Sequence, residues 1–392
     1  MKSVLNPSWR LGLALLCGAV SGPEPACAQL VLSGNENKLD LSSGEPRLVP
    51  EAPPDTLTVL DFSTFPPAVT HVTNIANSVI GPPSNIAIHP NGRMALVASS
   101  IKIASPTATQ WVPDNRIQIL DLSQRPPRVV GEVLAELQPS GMSFTPDGRK
   151  VLVANRASGT VSVFEVHGFG LSWLQSVKVC EPVESVSDVA ISPDGNLALA
   201  SVKVGGYVVV LRFNGREFVA AKRKTSVSGQ PYRILITPDG ELGLVAGLGF
   251  GKGVDVDEMS IIDLRAREPR TIDHVPLGTV PESIELSPDG RLLAAVVMDG
   301  CSLAPDDPLR TDRGHLIILE RRGKTFVRRQ RLDIPPVPSG VVFTGDGRHL
   351  VVQCHPQREL HIYAVRGSQV RDTGRRIRVP GMPSSLRAGP KP

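Results

Sequence analysis

The sequence predicts an all-β fold, a seven-bladed β-propeller with four antiparallel strands in each blade. Three observations support this: a strand–turn–strand unit occurs six times, a further strand occurs seven times, and the two ends of the chain complete each other. The 392 residues are 41% hydrophobic and include 36 Gly and 36 Pro, which is typical of many short strands joined by tight turns. One repeating architecture therefore accounts for nearly the whole chain.

The strand–turn–strand unit is clearest in GMSFTPDGRKVLVAN from Gly141 and in DVAISPDGNLALAS from Asp188. Pro presets φ in the turn, Asp bonds the local backbone, and Gly takes a positive φ at no steric cost. The flanking residues alternate or run apolar for four to six positions, as strands do. The six units begin at Asn85, Gly141, Asp188, Arg233, Ser283 and Gly340, and they define blades 1 to 6.

A third strand follows each unit, for example IQILDL from Ile117. A seventh such strand, LTVLDF from Leu57, follows only QLVLSGNENKLDL from Gln29, which resembles a second strand without a first. The chain ends with GMPSSLRAGP from Gly381, which resembles a first strand without a second. We therefore expect the C-terminal strand to become the inner strand of blade 7, so that one strand from the C-terminus and three from the N-terminus close the ring without exposed sheet edges. Residues 29–392 are expected to form one domain.

Residues 1–28 have the pattern of an export signal. Lys2 and Arg10 precede the apolar run 11–20, and small residues allow cleavage after Ala28. The run is too short to span a bilayer, and no later stretch is longer. A soluble periplasmic protein starting at Gln29 is the expectation.

Three of the five cysteines follow this signal: Cys180, Cys301 and Cys354. In an oxidising compartment they predict one disulfide and one free thiol. A bridge between Cys301 and Cys354 is possible because blades 5 and 6 are neighbours. A thiol–imidazole site at Cys354 and His355 competes with a disulfide or a buried apolar cysteine.

The segment SFTPDGRKVLVANRASGTVSVFEV from Ser143 resembles the YVTN-repeat β-propellers of exported bacterial proteins and the related lactonase-like propellers. The resemblance covers nearly all of residues 29–392 and implies the fold. It leaves the function open, because such proteins include binding proteins, lactone hydrolases and subunits of periplasmic dehydrogenases.

Propeller topology places the loops after the second strands and the loops between blades on one face, here called the upper face. Long loops on this face start at Gly34, Ser99, Gly247 and Asp299. Long loops on a rigid scaffold commonly bind ligands. We therefore expect a scaffold that binds a small molecule or a periplasmic protein at the upper channel mouth.

A lactone hydrolase is the alternative, because hydrolysis needs an oxyanion-stabilising donor and a general base in one cavity. The catalytic candidates at upper strand ends are Arg233, Glu282 and His355, and the binding candidates are Arg156, Gln230, Tyr232 and Asp299. These groups could instead pair with one another across blades. A second alternative is an accessory subunit of a periplasmic redox system, which rests on the resemblance alone.

No phosphate-loop, zinc-protease or haem-attachment motif occurs in the sequence, so no cofactor is expected apart from a possible Ca²⁺. Acidic residues on the loops of blades 4 and 5 could supply oxygen ligands, although their spacing matches no EF-hand. Solvated loop acids are the competing interpretation. The candidate calcium ligands are Asp255, Asp257, Asp306 and Asp307.

The formal net charge of +4 disfavours dedicated binding of duplex nucleic acid. Cations nevertheless cluster in the outer hairpins of blades 5 and 6, where an acidic partner could bind. Charged edge strands that deter aggregation are the other explanation. This predicted basic rim consists of Arg321, Arg322, Lys324, Arg328, Arg329, Arg331, Arg371, Arg375 and Arg376.

Overall fold

A computed structural model of the chain describes residues 29–40, 46–49, 51–77, 80–105, 110–249 and 255–390. The predicted export signal, with its cleavage site, lies outside these residues. The described chain forms seven four-stranded antiparallel sheets, which confirms the predicted seven-bladed propeller. No helix within the described ranges has the length and apolar character needed to cross a bilayer.

The strands of each blade are given from the inner strand, which lines the central channel, to the outer strand. Blades 1 to 3 consist of Ile86–Ile88, Met94–Ile103, Trp111–Asp121 and Arg128–Leu134; Pro139–Phe144, Lys150–Asn155, Thr160–His167 and Gly170–Lys178; and Val186–Ile191, Leu197–Val202, Tyr207–Phe213 and Phe218–Ser226. Blades 4 and 5 consist of Gln230–Ile236, Leu242–Leu248, Asp257–Asp263 and Arg270–Gly278; and Pro281–Leu286, Leu292–Val297, Gly314–Arg322 and Thr325–Ile334. Blades 6 and 7 consist of Pro338–Phe343, His349–Cys354, Glu359–Arg366 and Gln369–Arg378; and Met382–Ala388, Leu30–Glu36, Thr56–Asp61 and Ala68–Thr73. A two-stranded hairpin, Leu39–Asp40 with Arg47–Leu48, and a 3₁₀ turn, Pro182–Glu184, complete the described elements.

The repeated Pro-Asp-Gly turns join the inner and second strands and act as the sequence predicts. In blade 2 the Thr145 hydroxyl donates to Asp147 Oδ1 at 2.6 Å, and the Arg149 amide donates to the same oxygen at 3.0 Å. Gly148 takes a φ of 70°, which Gly adopts without steric cost. Each turn thus fixes the register of its two strands at the lower face.

The entry to most inner strands has a second repeated feature at the upper face. The residue just before the strand has a positive φ, and its carbonyl accepts a hydrogen bond from the first residue after the second strand, as in the 2.9 Å bonds from Arg156 to Gln138 and from Lys203 to Ser185. The register of the inner strands then slips near this end in blades 2 to 6. Such bulges redirect side chains toward the channel. The positive-φ residues are Gln138, Ser185, Gly229, Val280 and Val337.

Blade 7 joins the two ends of the chain. Val31–Glu36 pairs antiparallel with Met382–Ala388 on one side, and Leu30–Asn35 pairs with Thr56–Asp61 on the other. Leu386 is 3% exposed and packs in a cluster with Val31 and with residues of blade 6. Apolar packing therefore reinforces the hydrogen bonds that hold the last strand in the ring.

We expect Leu386→Ala to lower the free energy of unfolding by about 2–5 kcal/mol, because it leaves a cavity where the last strand packs on its neighbours. Leu134→Ala is the matched control: Leu134 is 57% exposed on an outer strand, and its loss should cost no more than about 0.5 kcal/mol. Urea unfolding followed by circular dichroism measures both. Equal midpoints for the two variants would contradict this role of Leu386.

Candidate ligand site at the channel mouth

Four polar side chains from blades 2 to 5 meet at the upper end of the channel. Arg156 and Lys203 each follow the second strand of their blade directly, while Tyr232 and Glu282 each lie near the start of an inner strand. Arg156, Lys203 and Glu282 are partly exposed, whereas Tyr232 is 6% exposed. We call these four residues the mouth cluster.

Arg156 is held by a neutral partner. Its Nη1 donates to the hydroxyl of Ser187, on the inner strand of blade 3, at 2.9 Å. Burial lowers the pKa of Arg156, so the surrounding protein disfavours its charge. In the part of the chain that the structure describes, no carboxylate forms an ion pair with this guanidinium.

Lys203 occupies in blade 3 the position that Arg156 occupies in blade 2. Its Nζ lies 5.0 Å from the centroid of the Tyr232 ring, within the range of a cation–π contact. Burial and the nearby Arg156 cation lower the pKa of Lys203, and Glu282 opposes that change. Lys203 likewise has no carboxylate at ion-pair distance among the described residues.

Glu282 is the acidic member of the mouth cluster. Burial raises its pKa to about 8, although the Lys203 cation and the Tyr232 hydroxyl both oppose the rise. Burial, followed by the charge of Glu282, also raises the pKa of Tyr232 well above its usual range. Burial thus opposes a charge on every member of the mouth cluster, and it keeps the carboxyl of Glu282 mostly protonated at neutral pH.

Below the mouth lie two arginines of inner strands, Arg233, which is buried, and Arg387, which is partly exposed. Arg233 is 4% exposed; its Nη1 contacts Asp188 Oδ2 at 2.8 Å and its Nη2 contacts Glu285 Oε2 at 3.0 Å. Arg387 donates to the carbonyl oxygens of Ile86 at 3.2 Å and Met142 at 3.0 Å. The expectation that Arg233 is available for catalysis is therefore wrong, because both ends of its guanidinium are ion-paired.

His355 is also unsuited to the catalytic role expected from the sequence. It is fully buried, its Nδ1 lies 3.1 Å from the carbonyl oxygen of Pro383, and burial lowers its pKa to about 4. Cys354 beside it is fully buried too, and burial raises the pKa of its thiol. A reactive thiol–imidazole pair does not form here.

The two remaining binding candidates differ in position. Gln230 is partly exposed at the first position of the inner strand of blade 4, on the same face as the mouth cluster. Asp299 instead faces the third and outer strands of blade 5, where its Oδ2 lies 2.7 Å from Nδ1 of His315 and 3.3 Å from Arg331. Asp299 therefore supports its own blade and does not join the mouth cluster.

The calcium hypothesis gains no support from the geometry. Asp257 is buried and accepts a 2.7 Å hydrogen bond from the Val280 amide, and Asp307 accepts one of 2.8 Å from the Leu309 amide. Asp255 and Asp306 are exposed. Within the described residues, no group of three or more His, Cys, Asp and Glu side chains is arranged to hold a metal ion.

The expected disulfide is absent among the described cysteines. Cys180, Cys301 and Cys354 are all free and buried. Burial raises the pKa of Cys180 and of Cys301 to about 11, so both thiols stay protonated at neutral pH. The Cys301 sulfur instead accepts a 3.0 Å hydrogen bond from the Val337 amide.

Most cations of the predicted basic rim are neutralised within the protein. Arg321 pairs with Asp239 at 2.5 Å and with Glu241 at 3.0 Å. Arg331 pairs with Asp299 at the upper face, so its expected position at the lower rim is wrong. Carboxylates also pair with Arg322, Lys324, Arg329 and Arg376. An acidic partner at this rim remains a prediction, with less free positive charge than the sequence suggests.

Lys203 is the member of the mouth cluster that the sequence reasoning missed. A signal for it was present, since Lys203 follows the second strand of blade 3 as Arg156 follows that of blade 2. Comparing equivalent positions of neighbouring repeats would have identified it. Three of the predicted site residues, Arg156, Tyr232 and Glu282, are brought together.

Comparison with known proteins shows the fold and nothing finer. No protein-family model matches the chain, and no curated protein matches its sequence. Among solved structures, the periplasmic gluconolactonase of Pseudomonas aeruginosa is similar, with a TM-score of 0.64, 20% identity and coverage of 93% of this chain and 99% of that one. A putative 6-phosphogluconolactonase of Bacteroides uniformis gives a TM-score of 0.63, 17% identity and coverage of 92% and 98%. The dihydro-heme d1 dehydrogenase NirN gives 0.55, 19% identity and coverage of 93% and 76%.

Glu282 should make the protein less stable as the pH rises. Because its pKa is about 8 in the folded protein and near 4.5 when exposed, the folded state keeps a proton between these values that the unfolded state releases. Stability is therefore lost as pH rises from about 4.5 to about 8. Glu282→Gln removes this loss, so we expect the stability difference between variant and parent to grow from about pH 5 to about pH 8 and to level off above it. Urea unfolding at a series of pH values measures the difference, and a pH-independent difference would show that Glu282 titrates normally.

Proposed function

We propose that the protein is a ligand-binding propeller whose channel mouth binds a small anion through Arg156 and Lys203. The observation that carries the proposal is the pair of recessed cations without a carboxylate partner among the described residues. Burying a charge without a partner is costly, and an anion would offset that cost for both groups. Neutral groups hold both cations: the Lys203 ammonium lies against the Tyr232 ring, and the Arg156 guanidinium donates to the Ser187 hydroxyl.

We further propose that the protein acts in the periplasm after export. The support is the charged start, apolar run and small residues of segment 1–28. Propellers of similar fold include a periplasmic gluconolactonase. In that compartment the channel mouth of the propeller would be accessible to small anionic metabolites.

Anion binding is tested by isothermal titration with sulfate, acetate and gluconate. We expect Arg156→Gln and Lys203→Gln each to weaken binding of the best anion about tenfold or more, because a hydrogen bond to a charged group contributes about 1.5–3 kcal/mol. Arg216→Gln and Lys222→Gln are matched controls, since both side chains are exposed in the outer hairpin of blade 3, away from the channel. Equal affinities for the four variants, or no binding by the parent, would refute an anion site at the mouth.

A lactone hydrolase is the second candidate, and Glu282 is the observation that favours it. A carboxyl with a pKa of about 8 can act as a general base in mildly alkaline solution, taking a proton from water as the water attacks the lactone carbonyl carbon. Arg156 or Lys203 would stabilise the oxyanion that forms. As the ring C–O bond breaks, Glu282 would return its proton to the ring oxygen, and the product is a hydroxy acid.

The hydrolase is tested with glucono-δ-lactone. If Glu282 is the base, Glu282→Gln should lose about 100-fold or more of the rate above the spontaneous reaction. Glu217→Gln, which changes an exposed carboxyl in the outer hairpin of blade 3, should retain the parent rate. Parent protein that does not exceed the spontaneous rate, or Glu282→Gln with full activity, would exclude this mechanism.

A further inference from the structure

Tyr232 is the side chain whose ring contacts the lysine of the mouth cluster. The Lys203 Nζ lies 5.0 Å from the centroid of this ring, and Tyr232 is 6% exposed. The Ser201 hydroxyl donates to the Tyr232 carbonyl oxygen at 2.8 Å, and the Lys203 amide donates to the Ser185 carbonyl oxygen at 2.9 Å. Hydrogen bonds therefore fix the backbone on both sides of the contact between the lysine and the ring.

We propose that Tyr232 is a positioning residue of the anion site, in which the face of its ring holds the Lys203 ammonium at the channel mouth without neutralising it. This inference rests on the anion site proposed above. An aromatic ring attracts a cation through its negative face. Because the ring brings no carboxylate to this contact, the charge of Lys203 stays available to a bound anion.

Lys203 depends on such support more than Arg156 does. A lysine ammonium stands on a flexible four-carbon stem and can turn toward open solvent. Burial and the Arg156 cation both oppose the charge of Lys203 and lower its pKa. The Arg156 guanidinium is planar and is held by its 2.9 Å hydrogen bond to the Ser187 hydroxyl. Loss of the Tyr232 ring would therefore release Lys203 and leave Arg156 in place.

A second lysine–tyrosine pair in blade 3 shows a different arrangement. The Lys224 Nζ lies 3.8 Å from the centroid of the Tyr207 ring and 3.5 Å from Glu184 Oε1. The Tyr207 hydroxyl donates to the same carboxylate oxygen at 3.0 Å. A carboxylate thus neutralises Lys224, whereas no described carboxylate lies at ion-pair distance from Lys203. Tyr207 therefore provides a matched control, a ring that holds a lysine away from the proposed site.

Sulfate titration of three ring variants tests the proposal. Tyr232→Leu removes the ring and should weaken sulfate binding about five- to tenfold, the range that a cation–π contact with a recessed ammonium supplies. Tyr232→Phe restores the ring face without the hydroxyl and should recover most of that loss. Tyr207→Leu removes the control ring and should bind sulfate as the parent does.

A double-mutant cycle with Lys203→Gln shows whether the ring acts through the lysine. In that background Tyr232→Leu should have no further effect on sulfate affinity, because the cation that the ring holds is gone. If the two substitutions weaken binding independently, or if Tyr232→Phe binds as weakly as Tyr232→Leu, the positioning role is overturned while the anion site stands. If the parent binds neither sulfate nor a carboxylate anion, the anion site itself is overturned.

Proton NMR measures the contact in the parent, so the proposal can be tested even where Tyr232→Leu does not fold. The ring current of Tyr232 should shift the ε-methylene resonance of Lys203 upfield from the resonances of exposed lysines. Lys203→Gln assigns that resonance by removing it. A Lys203 resonance at the position of the exposed lysines would show that the ring does not hold the ammonium, and the proposal would be overturned.

Discussion

The antiparallel pairing of Met382–Ala388 with Val31–Glu36 is the constraint on which the rest of the molecule depends. The sheet of blade 7 is complete only when the two ends of the chain meet within it. The same closing strand carries Arg387, whose guanidinium reaches the carbonyl oxygens of blades 1 and 2. Ring closure and the filling of the channel are therefore produced by neighbouring residues of one strand.

The channel contains two layers of charged residues with different consequences. In the lower layer Arg233 bridges Asp188 and Glu285, and Arg387 is bonded to backbone carbonyls. Breaking such a buried pair is costly, so this layer stabilises the ring. In the upper layer Arg156 and Lys203 contact neutral groups and have no carboxylate at ion-pair distance among the described residues. Paired charged residues thus occupy the middle of the channel, and the candidate ligand-binding residues lie above them at the mouth.

The sequence predicted the fold well because the same strand–turn–strand motif occurs six times. Each Pro-Asp-Gly turn fixes a register through local hydrogen bonds, and an error in one repeat would conflict with the other five. The complementary terminal fragments likewise predicted the composition of blade 7. Those inferences depend on nearest neighbours in the chain, which composition and spacing report directly.

The site was predicted less well because the sequence pattern does not show how far along the channel each side chain lies. Tyr232 and Arg233 are adjacent in the sequence. Tyr232 belongs to the mouth cluster, whereas Arg233 is ion-paired below it with Asp188 and Glu285. The register slip between Pro231 and Ile234 breaks the simple alternation of a strand at this point. His355 has the same position after its second strand as Arg156, but it is sealed beside Pro383. Packing between blades, rather than position within a repeat, decides which polar residues stay accessible.

The composite blade also determines the order of assembly. The Ser384 hydroxyl contacts the carbonyl oxygen of Gly34 across a separation of 350 residues, so the first strand to be made waits for the last. Contacts between such distant parts of a chain slow folding, because the intervening loop must be closed before they form. Until the final strand arrives, one side of Leu30–Glu36 is unpaired and can pair with other chains. Pairing of Met382–Ala388 with Leu30–Glu36 therefore both completes the sheet and removes a strand edge at which the folding chain could aggregate.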